Sequence, residues 1–387
     1  MNRLVLIFGL AGFAQALSSR VLDPLVPMVA GEFALPVDTV ALIATAYALP
    51  YALIQPVLGP IGDAFGKRRL IIGCMVSLVV ALAACAVAPT IETLFVARIA
   101  SGLAAGGVFP LTLALLGDSV GMDRRQVALS RFLAFAILGQ VAGGAMAPLV
   151  EPLVGWRGVL WVSAGLSAVG LVVLLAARRV GDAPAAGRFD IAVALQRYGA
   201  ILRSPVARLC YGAVAVEGVL IFGVFPFLAD ILLVRGHGGP AEAGVAIGLF
   251  GVGGLLYAAL AAWLVRRAGQ QGMLVGGAVA AAAALCASAL APSAAVLIAA
   301  FLLLGFGFFM MHNSIQTRVT EVAPAARGSA VALHAFFFFL GHSVGPLFYG
   351  PAIRSLGAGG AMLVGTAGLL GLAVLLRSMP PVAQNKA

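Results

Sequence analysis

Charged side chains are scarce in this sequence. Asp, Glu, Lys and Arg make up only 10% of the 387 residues, whereas hydrophobic residues make up 62%, and the mean hydropathy is +1.09. Soluble domains carry about 25% charged residues. The composition therefore excludes an ordinary soluble protein and predicts a polytopic membrane protein.

The residues that hold metals or disulfides are also few. The four cysteines lie in apolar runs without disulfide or zinc-site spacing, and the four histidines lack ligand spacing with the acids. Neither a Ser/His/Asp set nor a redox motif is found. We therefore expect no metal, no cofactor and no enzymatic activity.

Long apolar runs dominate what is present. A membrane-spanning helix needs about 20 mostly apolar residues, and twelve runs of this kind predict an all-α fold with twelve transmembrane helices. The runs lie at about residues 4–29, 39–59, 69–88, 93–116, 128–150, 157–177, 206–234, 243–265, 272–291, 294–317, 328–350 and 359–377.

One long link divides these runs into two groups of six. It begins polar, with "RRVGDAPAAGRFD", and continues as the amphipathic sequence "IAVALQRYGAILRS", which predicts a short helix on the membrane surface. We expect an N-terminal six-helix bundle (1–177), a cytoplasmic linker (178–205) and a C-terminal six-helix bundle (206–387).

The two groups repeat one another at an offset of 202 or 203 residues. "AILGQVAGG" at 136–144 matches "FFLGHSVGP" at 338–346, and Gln15 and Pro24 fall on Glu217 and Pro226. This offset predicts two six-helix halves related by an axis along the membrane normal. An alternative for residues 1–16 is a cleavable signal peptide ending at "AQA", but the repeat favours a first helix that belongs to the mature fold.

The basic residues predict the orientation. With the N-terminus inside, 19 of the 24 Lys and Arg residues lie in inner segments, as the positive-inside rule requires. The net charge of +10 is then a topology signal that implies no nucleic-acid partner. We expect both termini to be cytoplasmic.

The segment "GPIGDAFGKRRL" carries the most specific motif. Its spacing does not fit a phosphate-binding loop, because three residues separate Gly62 from Gly66 and Arg68 follows Lys67. It closely resembles motif A of the major facilitator superfamily, roughly G-x-x-x-D-R-x-G-R-R/K, although Ala64 replaces the usual arginine.

This resemblance implies a cytoplasmic latch between the two halves that holds the outward-facing state. Asp118 after helix 4 resembles the acid of the family's 4–5 loop and is the expected partner of Lys67 or Arg68. Simple positive-inside anchoring of the three bases is the alternative. The expected latch residues are Gly59, Asp63, Gly66, Lys67, Arg68 and Asp118.

Two further segments resemble family motifs. "RIASGLAAGG" from Arg98 resembles motif B; an arginine within a span normally faces a cavity or a carboxylate, and snorkelling to the outer interface is the alternative. "GQVAGGAMAP" at 139–148 lies where antiporters carry motif C, but Gly144 replaces the proline. This segment therefore predicts close helix packing and does not by itself indicate antiport.

Ionisable groups within the spans are the main functional candidates. Glu217 lies about 16 Å into helix 7, near the middle of a ~30 Å core. We predict proton coupling through Glu217 and Asp23, with a structural role for Glu217 as the alternative. Arg20 and Asp23 are spaced to pair, and a gate pair is as consistent with their position as a substrate site.

The remaining polar side chains in the spans predict a substrate cavity between helices 1, 4, 7 and 10. His312, Gln316 and Thr320 share one helix face. Hydrogen bonds between helices are the alternative role for the histidines. The expected cavity residues are Gln15, Arg20, Arg98, His312, Asn313, Gln316 and His342.

The sequence therefore predicts a secondary transporter that works by alternating access. The resemblance extends to bacterial drug:proton antiporters through "RVLDPLVPMVAGEF" and "HNSIQTRVTEVAPAARGSAVALHAFFFFLG", which implies proton-coupled efflux of small amphiphilic compounds by a monomer in the bacterial inner membrane. The alternatives are an uptake permease or uniporter for a small polar metabolite, and a non-transporting receptor or scaffold.

Overall fold

The computed structural model describes residues 2–177, 191–323 and 326–379, and the regular structure within these ranges is helical. The linker residues 178–190 and the tail from 380 lie outside the described residues. The α-helices are α1 (Asn2–Arg20), α2 (Val26–Phe33), α3 (Val37–Phe65), α4 (Lys67–Ala86), α5 (Ile91–Ser119), α6 (Met122–Ala176), α7 (Ile191–Arg203), α8 (Pro205–Glu217), α9 (Leu228–Val234), α10 (Pro240–Ala289), α11 (Ala294–Val322) and α12 (Arg327–Arg377).

Nine stretches of the described chain are long and apolar enough to span a membrane. Three of them, in α6, α10 and α12, contain about 50 residues each. A straight helix of that length would measure about 75 Å, more than twice the ~30 Å hydrocarbon core. Each is interrupted by a glycine with positive φ, at Gly155, Gly269 and Gly357, so each contains two spans. The twelve predicted spans are confirmed, with boundaries that agree to within a few residues.

The first span of each half is interrupted, whereas the sequence predicted continuous runs. The chain leaves α1 at Arg20 and passes through a 3₁₀ turn at Asp23–Leu25 before α2. After Glu217, a π-helical turn and a second 3₁₀ turn, at Phe225–Phe227, precede α9. Pro24 and Pro226 lie in the two 3₁₀ turns, at the positions that the repeat matches. Proline has no N–H to donate, so each of these positions lacks one helical hydrogen bond.

The internal repeat is confirmed by matching close approaches between helices. A Cβ added at Gly102 would lie 2.1 Å from the carbonyl oxygen of Tyr47, and one at Gly305 would lie 1.9 Å from that of Phe250. Both pairs are related by the same offset of 203 residues. A second set, offset by 202, brings Gly139 to the carbonyl of Phe13 and Gly341 to the carbonyl of Ala215.

The two halves meet along two seams. In the first, α3 packs on α12: the Thr45 hydroxyl donates to the carbonyl of Ser343 at 2.7 Å, and Asp38 forms an ion pair with Arg354. In the second, α6 packs on α10, where a Cβ on Gly244 would lie 2.7 Å from the carbonyl oxygen of Gly144. We call the end of the bundle that carries Gly66 and Asp118 the basic end, and the other the opposite end. The Asp38–Arg354 pair lies at the opposite end.

Helix α7 is the amphipathic helix predicted in the link between the halves. It spans Ile191–Arg203, and its Tyr198 hydroxyl donates to the carbonyl of Pro56 on α3 at 2.5 Å. The exact limits of the two bundles remain a prediction.

Candidate transport site

Glu217 is completely buried at the end of α8. Its Oε1 contacts Nδ1 of His312 on α11, whereas its Oε2 is buried with no hydrogen-bond partner in the structure. The ring of His334, on α12, lies 4.7 Å from the ring of His312 between centroids. We call Glu217, His312 and His334 the Glu217 cluster. A carboxyl group in this position is costly unless it is paired or protonated.

Aromatic rings enclose this cluster. His312 lies 4.9 Å from both Phe308 and Phe338 between ring centroids. Phe222, in the π-helical turn after Glu217, stands edge-on to both phenylalanines, at 4.9 and 5.3 Å. The surroundings of the carboxyl group are therefore apolar and polarisable, and they exclude most competing hydrogen-bond donors.

A second polar cluster lies next to these rings. Arg20 forms an ion pair with Asp23 at 3.2 Å, as its spacing predicted, and its Nη1 lies 3.4 Å from Nε2 of His342 on α12. The guanidinium also covers the ring of Phe222, 4.5 Å from the centroid. All three polar residues are buried, so this Arg20 cluster links the two halves through the interior.

Arg98 is 1% exposed, which excludes the snorkelling alternative. Its Nη1 donates to the carbonyl of Ser18 at 3.3 Å, and its guanidinium lies 4.4 Å from the ring centre of Tyr47. Ser18 in turn donates to the carbonyl of Gln15, whose own side chain is buried. Arg98 therefore binds α1 to α5 within the first half.

The predicted cavity residues do not all come together. His312 joins Glu217, and Arg20 joins His342, while Asn313 and Gln316 are half-buried on α11. His334, which the sequence did not single out for the site, belongs to the Glu217 cluster. The available signal was a histidine in an apolar span, but its neighbours "AFFFF" form no polar stripe that would indicate its direction.

The motif A segment forms the α3–α4 turn at the basic end. Gly66 has a φ of +88°, a conformation that favours glycine. Nζ of Lys67 lies 3.1 Å from Asp118, and Arg68 donates to the carbonyls of Leu174 and Ala177 at the end of α6. These partners all belong to the first half. Gly59 is exposed on α3, and the Asp63 side chain lies outside the described part of the structure.

Residues 8–346 match the family described as Major Facilitator Superfamily. The chain belongs to the major facilitator superfamily. It is a transporter of that fold and not an enzyme or a scaffold, with two six-helix halves built around buried polar groups.

Other superfamily members resemble it at different levels. The uncharacterized MFS-type transporter YceJ of Bacillus subtilis is 25% identical over 97% of this chain and 95% of its own length. The multidrug export protein EmrB of Haemophilus influenzae is 26% identical over 43% of this chain and 33% of its own length. A solved D-xylose-proton symporter superposes with a TM-score of 0.81 over 100% of this chain and 99% of its own, at 16% identity; this likeness shows the fold alone.

Proposed function

We propose that this facilitator exports small amphiphilic compounds in exchange for protons, with Glu217 as the proton carrier. The observation that carries the proposal is the position of Glu217: a fully buried carboxyl group, one oxygen against His312 and the other without a partner. Ionisable groups inside the membrane normally serve transport or proton relay.

The aromatic surroundings support an amphiphilic substrate. Phe222, Phe308 and Phe338 present apolar ring faces beside the carboxyl group, and such faces attract both apolar groups and cations. A relative named as a multidrug export protein supports the direction of transport. Gln15, Arg98, Asn313 and Gln316 complete the proposed substrate region.

The Arg20 cluster serves as the second coupling and gating element in this proposal. Asp23 is held by Arg20, so a proton on Asp23 would release that pair and loosen the contact of Arg20 with His342 across the halves. The motif A latch, with Asp63 and the Lys67–Asp118 pair, acts at the basic end.

We place the basic end in the cytoplasm of a bacterium, since 19 of the 24 bases fall on inner segments. The Asp38–Arg354 ion pair then closes the outer side, and the chain occupies the inner membrane as a monomer with both termini cytoplasmic.

The test is export driven by a pH gradient in proteoliposomes, with a fluorescent amphiphile found by a compound-sensitivity screen of a deletion strain. We expect Glu217→Gln to reduce gradient-driven export at least tenfold and to leave counterflow exchange within about twofold, because exchange needs no net proton movement. Glu151→Gln, on an exposed stretch at the opposite end, is the control. Export by Glu217→Gln at the parental rate would exclude Glu217 as the carrier, and counterflow by the parent without gradient-driven export would indicate a uniporter.

A further inference from the structure

We infer that His312 and His334 form the proton path between Glu217 and the basic end, with His334 as its exit residue. This inference rests on the proposed role of Glu217 and assigns the groups through which it releases its proton. It also gives a function to His334, which the transport cycle proposed above does not use.

Depth in the membrane orders the three groups. Counted along each helix at 1.5 Å per residue, Glu217 lies about 18 Å from the basic end of α8, His312 about 15 Å from that of α11 and His334 about 10 Å from that of α12. The three side chains therefore step from the middle of the bilayer towards the basic end on three different helices.

Contacts connect these steps. The first is the direct contact between Glu217 Oε1 and His312 Nδ1. The second is the 4.7 Å ring separation between His312 and His334, which leaves the rings edge to face. An imidazole has two nitrogens and can accept a proton at one while it releases a proton from the other, so each histidine can pass a proton without net change in its own charge.

The unpartnered atoms lie at the two ends of this path. Glu217 Oε2 and His334 Nε2 are both buried with no hydrogen-bond partner in the structure, and His334 is 2% exposed. A buried polar atom without a partner is costly and marks a site where a water molecule or a proton donor binds during the cycle. A proton leaves the carboxyl group through His312 Nδ1, passes to His334, and is released at His334 Nε2 towards the basic end.

The neighbouring charges do not interrupt this order. Arg20, which is paired with Asp23, contacts His342, about two turns further along α12 than His334, and Arg318 donates to Gln271 on α10 at 2.6 Å. Besides the cluster itself, the titratable or charged groups on these helices are Arg208, Cys210 and Tyr211 on α8, Arg318 and Glu321 on α11, and Arg327, His342, Tyr349, Arg354 and Arg377 on α12. Arg20 and Asp23 lie at the end of α1.

The experiment follows protonation of Glu217 directly and needs no substrate. The full chain in liposomes is given a rapid pH jump, and the carboxyl C=O infrared band that Glu217→Gln removes is recorded over time. We expect His334→Gln and His312→Gln each to slow the appearance of this band at least tenfold while its final amplitude remains. His237→Gln is the matched control, because His237 lies in the α9–α10 link at the opposite end.

Each outcome decides the inference. A parental rate in His334→Gln overturns it, and slowing in His312→Gln alone would end the path at His312. If Glu217→Gln removes no titrating band, the proposed carrier itself fails, which is a different result from a band whose rate ignores the histidines. Thermal unfolding of each variant, within about 3 °C of the parent, excludes a folding defect, and His334→Asn serves as the second variant.

Discussion

Gly102 lies where the backbones of α5 and α3 are too close for any side chain. A Cβ at this position would stand 2.1 Å from the carbonyl oxygen of Tyr47 and 3.0 Å from the ring of Pro50. Backbone atoms cannot move aside as a flexible side chain can, so the two helices would have to separate.

We therefore expect Gly102→Val to destabilise the protein by about 3 kcal/mol or more, as severe overpacking does. Gly73→Ala is the control: Gly73 is helical too, but nothing lies within 4 Å of an added Cβ, so this change should be neutral or slightly stabilising. Thermal unfolding in detergent measures both, and equal midpoints for the two variants would contradict the packing described here.

For individual residues, the sequence predicted which positions matter better than it predicted which residues they contact. Gly139 was matched to Gly341 by the repeat, and Glu217 was selected by its depth, because both follow from position along one helix. The contact of Glu217 with His312 spans 95 residues and depends on how α8 packs on α11, which no local pattern encodes. For the same reason, the sequence did not predict that the His334 side chain points towards His312.

Among the helices, α3 has a backbone carbonyl without a helical donor, and α7 binds to it. Pro60 has no N–H, so the carbonyl of Pro56 four residues earlier has no helical donor. The Tyr198 hydroxyl of α7 supplies the missing bond at 2.5 Å. Partial burial raises the pKa of Tyr198 above its ordinary value, so the phenol stays protonated and donates throughout the physiological range; this contribution is lost only as the pH rises through that pKa.

Tyr198→Phe should cost about 1 kcal/mol, the net value of one such hydrogen bond. In a Pro60→Ala background the alanine N–H can bond the same carbonyl, so the same change should cost less. A double-mutant cycle on thermal stability measures this coupling. Additive effects of the two substitutions would show that the Tyr198 bond does not depend on the proline.

The elements themselves were largely predictable, because run length and charge determine where a helix crosses the bilayer. The interruptions at Asp23–Leu25 and Phe225–Phe227 were not predicted. Pro24 and Pro226 were recognised only as a matched pair, and hydropathy averages over a single turn of irregular backbone. Both interruptions lie beside buried ionisable groups, where a broken helix frees backbone groups for polar partners.

At the scale of the whole molecule, the conformation depends on which end of the two seams is closed. On the α3–α12 seam, contacts run from Asp38–Arg354 at the opposite end, through Thr45 and Ser343, to the ring of Tyr51, whose centroid lies 3.8 Å from that of Phe339. The buried contacts supply packing, and the ion pair at the rim adds a bond that must break before this end can open.

The Asp38–Arg354 pair contributes little free energy to closure, because the Arg354 side chain is 61% exposed and that of Asp38 is 24% exposed. Exposed ion pairs contribute about 0–1 kcal/mol, which corresponds to at most about a fivefold change in population. We therefore expect Asp38→Asn to increase the open fraction at the opposite end by about two- to fivefold, without loss of folding.

Spin labels at Thr39 and Ser355, both exposed beside the pair, report this opening as a longer component in the inter-label distance distribution. Combining Asp38→Arg with Arg354→Asp reverses the pair and should restore the parental distribution, since the two charges still attract each other. If the reversed pair stays as open as Asp38→Asn, the seam is held by its packed interior, from Thr45 to Phe339, and the rim charges contribute no closing free energy.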